Sequence, residues 1–222
     1  MRGNNLYVLI LGAWCLVLVG CTLQAPPAPT PRPVTLPIID SLRVPGGAGL
    51  VVGADQQAAY QYTPAGYQLI VHPSDQLVWS LFAGAYTEAS FTVQATRTTG
   101  DARSAAGLVF GYQSAASFYL FTVSWDGFYR LGRFVDGRWT ILIDWTPLER
   151  IVPPVQGAPQ QMTLRVVVRD KRAELFVNDV WLETAGDGGP LTGSAGLAAL
   201  TTNSGTMVTT FTDLRIEAVT PT

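Results

Sequence analysis

From residue 38 onward, apolar side chains recur at every second position, and no stretch holds an i, i+3, i+4, i+7 apolar face over three turns. Alternation of this kind is the mark of half-buried strands, and the missing helical period removes the helices that a parallel sheet would need on its faces. Candidate strands are Ala58–Tyr62, Tyr67–Val71, Leu77–Phe82, Ser90–Thr96, Ala106–Tyr112, Phe118–Trp125, Phe128–Val135, Trp139–Asp144, Met162–Arg169, Ala173–Val177, Val180–Glu183, Gly196–Thr201 and Thr206–Ala218. Thr99-Gly100-Asp101, Asp126-Gly127, Asp136-Gly137, Arg169-Asp170-Lys171 and Asn178-Asp179 separate several of them with residues that tolerate positive φ. The expected fold is all-β, a two-sheet antiparallel sandwich.

Two hairpins set the expected facing. In "FYLFTVSWDGFYRLGRFVDGRW", residues 118–139, one parity carries Tyr119, Phe121, Val123, Trp125, Tyr129 and Leu131, and is read as core. The other carries Phe118, Leu120, Thr122, Ser124, Phe128, Arg130 and Gly132, and is read as the outer face. In the later hairpin the same reasoning buries Leu164, Val166, Val168, Leu175 and Val177. Parity also places Trp79, Trp125 and Trp139 in or at the edge of the core, whereas Trp145, past the alternating run, either caps the core or projects from the rim.

The pattern carried by Gly107–Gln113, Phe118–Tyr129, Asp136–Trp139, Leu164–Arg169, Leu175–Leu182, Gly193–Leu197 and Phe211–Ile216 resembles a bacterial branch of the concanavalin A-like, laminin-G-like jelly rolls. The resemblance spans most of residues 55–218 and implies a jelly-roll sandwich. Its wider relatives include domains described as 3-keto-disaccharide hydrolase-like or family-16-glycosidase-like, alongside many modules without catalysis. The fold therefore transfers more safely than any activity.

The N-terminus has one charge at Arg2 and an apolar run from Leu6 to Val19, closing on Leu18-Val19-Gly20-Cys21. That arrangement is too short for a comfortable membrane span and reads as a secretory signal, residues 1–20. Its end is similar to the lipobox of bacterial lipoproteins, which implies lipidation of Cys21 and an extracytoplasmic, membrane-anchored location in the cell envelope. Cleavage there discards Cys15 and leaves no second thiol for an intrachain disulfide. Residues 21–37 form a linker whose six prolines keep it extended, reaching roughly 50 Å at about 3.1 Å per residue. The sandwich domain is expected over residues 38–222.

Loss of Arg2 with the leader leaves thirteen basic residues against sixteen acidic, a formal charge of −3. With Lys171 as its single lysine, such a chain offers no basic patch for nucleic acid, so membrane attachment would depend on acyl chains. A glycosidase of this architecture needs two carboxylates flanking the scissile bond. The glutamates are Glu88, Glu149, Glu174, Glu183 and Glu217, none in the spacing of family-16 enzymes, and the nearest acid pair, Asp144 and Glu149, brackets an apparent loop. His72 has no cysteine partner in the mature domain, and Ser194 lacks the G-x-S-x-G setting of a nucleophile elbow. No catalytic residues, no metal site and no cofactor are assigned, although turn acids Asp101, Asp126, Asp136 and Asp187 are of the type that holds structural calcium.

Exposed aromatics remain. A ring at Trp145 would stack on a sugar face, with Arg130, Thr122, Ser124 and Gln94 on outward parities as polar companions. The expected function is a non-catalytic binding module for carbohydrate. The alternatives are a protein–protein adaptor or structural envelope component, and a hydrolase in which at least two of Asp126, Asp144, Glu149 and Glu183 converge.

Overall fold

A computed structural model describes residues 34–72, 76–148, 160–202 and 205–219. Within them no residue is helical, and the strands run β1 (Ile38–Asp40), β2 (Gly53–Ala54), β3 (Ala58–Thr63), β4 (Gly66–Val71), β5 (Leu77–Leu81), β6 (Ala89–Thr99), β7 (Ala105–Ser114) and β8 (Ser117–Ser124). The series continues with β9 (Phe128–Val135), β10 (Arg138–Pro147), β11 (Gln160–Arg169), β12 (Arg172–Val177), β13 (Val180–Ala185), β14 (Ser194–Leu200) and β15 (Met207–Ala218). Every strand expected from the alternation is present. The two that the sequence did not announce, β1 and β2, are three and two residues long, too short to display a period. The signal region and Cys21 lie outside the described residues, as does Glu149.

The strands form two antiparallel sheets. One has the order β13-β12-β11-β6-β15-β4-β3-β2, with β1 also paired to β15; the other has the order β10-β9-β8-β7-β14-β5. Local turn chemistry explains the sequential neighbours. Asp136-Gly137, Asp170-Lys171 and Asn178-Asp179 each hold two successive residues at positive φ, the twist-matched geometry of a tight hairpin. The central pairing of β6 with β15 joins segments more than a hundred residues apart, so burial rather than a turn selects it.

The core lies between the sheets. Phe91, Val93, Leu164, Val166, Leu175, Leu69 and Phe211 from one meet Leu108, Phe110, Phe121, Val123, Leu131 and Leu197 from the other, all buried in one cluster. Tyr119, Trp125 and Tyr129 join it, as the parity reading requires. Val34 and Leu36 also pack against this cluster, so the packed chain begins before residue 38.

Two tryptophans depart from expectation. Trp79 and Trp139 are not in the core but on the outer face of the six-stranded sheet. Trp79 packs against a second, smaller cluster of Val109, Phe118, Leu120 and Ala198, and its ring lies 5.3 Å from that of Phe118. Trp139 pairs with outward Phe134, and its ring stands edge-on to Phe118 at 5.6 Å. Alternation gives which side a residue faces only relative to its strand; which sheet face meets the other sheet is decided by pairing across the whole domain.

A candidate ligand trough on the outer face of the six-stranded sheet

The outer face of this sheet is built in lateral rows. Across one row Arg130 pairs with Thr122, Thr122 with Gly107, Gly107 with Ala198, and Ala198 with Trp79. At a strand spacing of ~4.8 Å that row runs roughly 19 Å. The adjacent row sets Ile141 against Gly132, Gly132 against Leu120, and Leu120 against Val109. Beyond it stands an aromatic bank in which Phe118 contacts Phe134, Tyr112 and Trp139 at ring separations of 5.4, 6.0 and 5.6 Å. Large rings at the margin and glycines in the middle leave a depression.

That depression is a trough of about 360 Å³ lined by Leu77, Leu120, Thr122, Arg130, Gly132, Trp139, Ile141, Trp145 and Leu200. Gly132 is needed for its shape: a Cβ there would lie 3.1 Å from the Trp139 ring, which rests over the glycine. At Gly107 a Cβ would approach the Phe121 carbonyl oxygen to 2.5 Å.

Strand β10 supplies most of one side, and it does so by breaking alternation. Trp139, Ile141, Ile143 and Trp145 share one parity, yet Ile143 is a core residue while the other three line the trough. Register shifts between Ile141 and Ile143, and between Ile143 and Thr146, account for this. Each shift adds a residue to β10, so facing reverses at the first bulge and reverses again at the second. Trp139, Ile141 and Trp145 are left 47, 49 and 37 % exposed.

The electrostatics of the trough rest on Arg130. Its guanidinium carbon lies 5.8 Å from the centre of the Trp145 ring, within reach of a cation–π contact. Its Nε is 3.9 Å from Asp144 Oδ1. That oxygen already accepts the Trp145 backbone N–H at 2.8 Å, which ties the indole to the bulge. Three of the five residues expected at a binding site, Trp145, Arg130 and Thr122, therefore line one depression.

The other two stand elsewhere. The Ser124 hydroxyl is buried and used within its own hairpin: it donates to Asp126 Oδ1 and accepts the Phe128 N–H at 3.1 Å. Gln94 sits on β6 in the opposite sheet, where its side-chain oxygen accepts from Thr212 Oγ1 at 3.1 Å. The strands that seemed neighbours in sequence order belong to different layers. Conversely, Trp139, Ile141, Leu120 and the Gly132 floor were not anticipated as lining. An interior glycine facing a tryptophan across a hairpin is the signal that points to them.

The acids are distributed. Asp126 is held by Ser124, Asp144 lies beside Arg130, and Glu183 accepts the Tyr129 hydroxyl at 3.4 Å. Asp187, a candidate for calcium, takes Tyr119 Oη at 2.6 Å, Arg133 Nη1 at 2.5 Å and the Gly189 N–H at 3.0 Å. Burial pushes its carboxyl upward, but these three donors outweigh it and hold the group below its ordinary range. The Tyr119 phenol is raised by burial first and by the Asp187 charge with it. Asp101 accepts from its own loop at the Arg103 N–H. Among the described residues no group of three or more His, Cys, Asp or Glu side chains is placed to hold a metal ion.

Comparison with known proteins agrees with this architecture. The fold is a concanavalin A-like jelly roll. A carbohydrate-binding module, CBM66 from Bacillus subtilis, superposes with a TM-score of 0.59 at 18 % identity over 73 % of this chain and 92 % of that one. A Bacillus licheniformis beta-glucanase gives 0.60 at 8 % identity over 84 % of this chain and 100 % of its own. The apo Crh5 transglycosylase gives 0.56 at 13 % identity over 83 and 85 % of the two chains. No family model and no curated protein matches the sequence. The similar structures thus include a binding module and enzymes, and at these identities they establish the shape alone.

Proposed function

We propose that this protein is a non-catalytic carbohydrate-binding module, held at the cell envelope by lipid on Cys21, whose ligand lies in the outer-face trough. The observation that carries the reading is the Trp145–Arg130 pair beside a glycine floor: a partly exposed indole with a guanidinium over it, in a depression open enough for a chain of rings. A pyranose presents an apolar face to such a ring while its hydroxyls reach polar groups at the margin. The similarity to the CBM66 structure supports this reading; the lipobox-like end of the leader supports the anchor. The described candidate acids each serve a different partner, which favours binding over hydrolysis.

Affinity electrophoresis through polysaccharide gels tests the reading. Trp145→Ala and Arg130→Ala should each weaken retention by about tenfold with an unchanged melting temperature, because both side chains lie outside the core. Retention indifferent to both substitutions would remove the trough from the account. A second reading, docking of a protein partner or envelope component, is favoured by the exposure of Trp139 and Ile141. Such a partner would bind in the absence of any glycan and be displaced by none.

A further inference from the structure

We propose that Arg130 makes the trough selective for acidic glycans, with a uronate carboxylate seated against its guanidinium. The inference rests on the carbohydrate reading above and goes further by naming the charge of the sugar. Its first support is the poverty of the lining. Apart from Arg130, the polar side-chain groups of the lining are the Thr122 hydroxyl, on a buried side chain, and the indole N–H groups of Trp139 and Trp145; the rest are Leu77, Leu120, Gly132, Ile141 and Leu200. A neutral sugar would meet few side-chain partners for its hydroxyls here, and polar groups desolvated without partners oppose binding.

The second support is the state of Arg130 itself. Among the described residues its ion pair is with Asp144 through Nε at 3.9 Å, and Asp144 is 75 % exposed, a weak, solvated contact. Neither Nη atom has a hydrogen-bond partner among the described residues, so the outer edge of the fork remains available, with Cζ 5.8 Å from the centre of the Trp145 ring. Arg133, three positions along β9, shows the contrast. It faces the other way, and its Nη1 is paired with Asp187. A planar guanidinium with both Nη atoms free, its Nε turned to the exposed Asp144 and the trough lining itself without an acid, is complementary to a carboxylate accepting two parallel N–H bonds from the Nη edge. The net acidity of the chain opposes long-range attraction of polyanions, so the selectivity is local to the trough.

The experiment measures retention of the full chain on polygalacturonate, alginate and hyaluronan, on neutral laminarin, levan and dextran, and on fully methyl-esterified polygalacturonan, which keeps the backbone and loses the charge. The expected result is binding to at least one polyuronate, weakened about tenfold or more by Arg130→Gln and partly kept by Arg130→Lys, with added salt weakening it further. Binding to neutral polymers alone, or polyuronate binding that Arg130→Gln leaves unchanged, overturns the acidic selectivity and leaves the carbohydrate reading standing. Binding to none of the polymers overturns both. Should Arg130→Gln fail to fold, the salt series and the esterified polymer read the same property on the unaltered protein: retention indifferent to charge removal refutes the proposal.

Discussion

Arg130 and Arg133 lie three positions apart on one strand and have opposite fates. The odd spacing sends one to the trough and the other to the inner side, and that much follows from alternation. What holds Arg133 does not: Asp187 arrives from 54 residues further along, in a loop whose position depends on the assembled sandwich. The same loop explains Gly189, where a Cβ would lie 2.4 Å from both Arg133 Cζ and Tyr119 Oη. Asp187→Asn should lower stability at neutral pH by about 2 kcal/mol, since it weakens charge-assisted bonds and leaves the half-buried Arg133 without its counter-ion. The sign with pH follows from the depressed carboxyl. Its contribution is complete above the ordinary carboxylate range and is lost as pH falls through the folded value. Melting curves of the two proteins should therefore differ at pH 7 and converge toward pH 2; a constant gap would refute an electrostatic origin.

Individual strands were legible because each carries its own period, and the tight hairpins because their turn residues state their geometry. Asp170 and Lys171 both sit at positive φ, 48° and 58°. For lysine that conformation costs about 1 kcal/mol relative to glycine. Lys171→Gly should accordingly raise the midpoint of urea unfolding, by about 1 kcal/mol in stability, without changing its slope; a loss of stability would mean that the lysine side chain, not the turn, matters there. Strand β10 was legible as a strand but not as a surface. Its two bulges reverse the facing of Ile143 and then of Trp145, and a bulge leaves no mark in a hydrophobic pattern that remains apolar on both sides. Trp139 was accordingly placed near the core on parity that the pairing with Phe134 turns outward.

At the scale of the molecule, no cysteine lies beyond residue 21, so the sandwich stands on its buried core and its pairing alone. Reducing agent should leave the melting temperature unchanged. The proposed lipid makes a separate prediction: in a bacterial host Cys21→Ser should abolish incorporation of labelled palmitate, with the fold unaltered. Labelling that survives the substitution would refute the anchor. The sequence by itself determined the all-β class, the strands, the turns and the inward parity of the long hairpin, because each is a short-range consequence of side-chain period and backbone preference. Only the tertiary structure decided that Gln94 belongs to the other layer, that Ser124 is consumed by its own turn, and that Trp139, Ile141 and Trp145 gather beside Arg130 over a floor of glycine. Those are outcomes of strand order and register, set by long-range burial, and no local pattern encodes them.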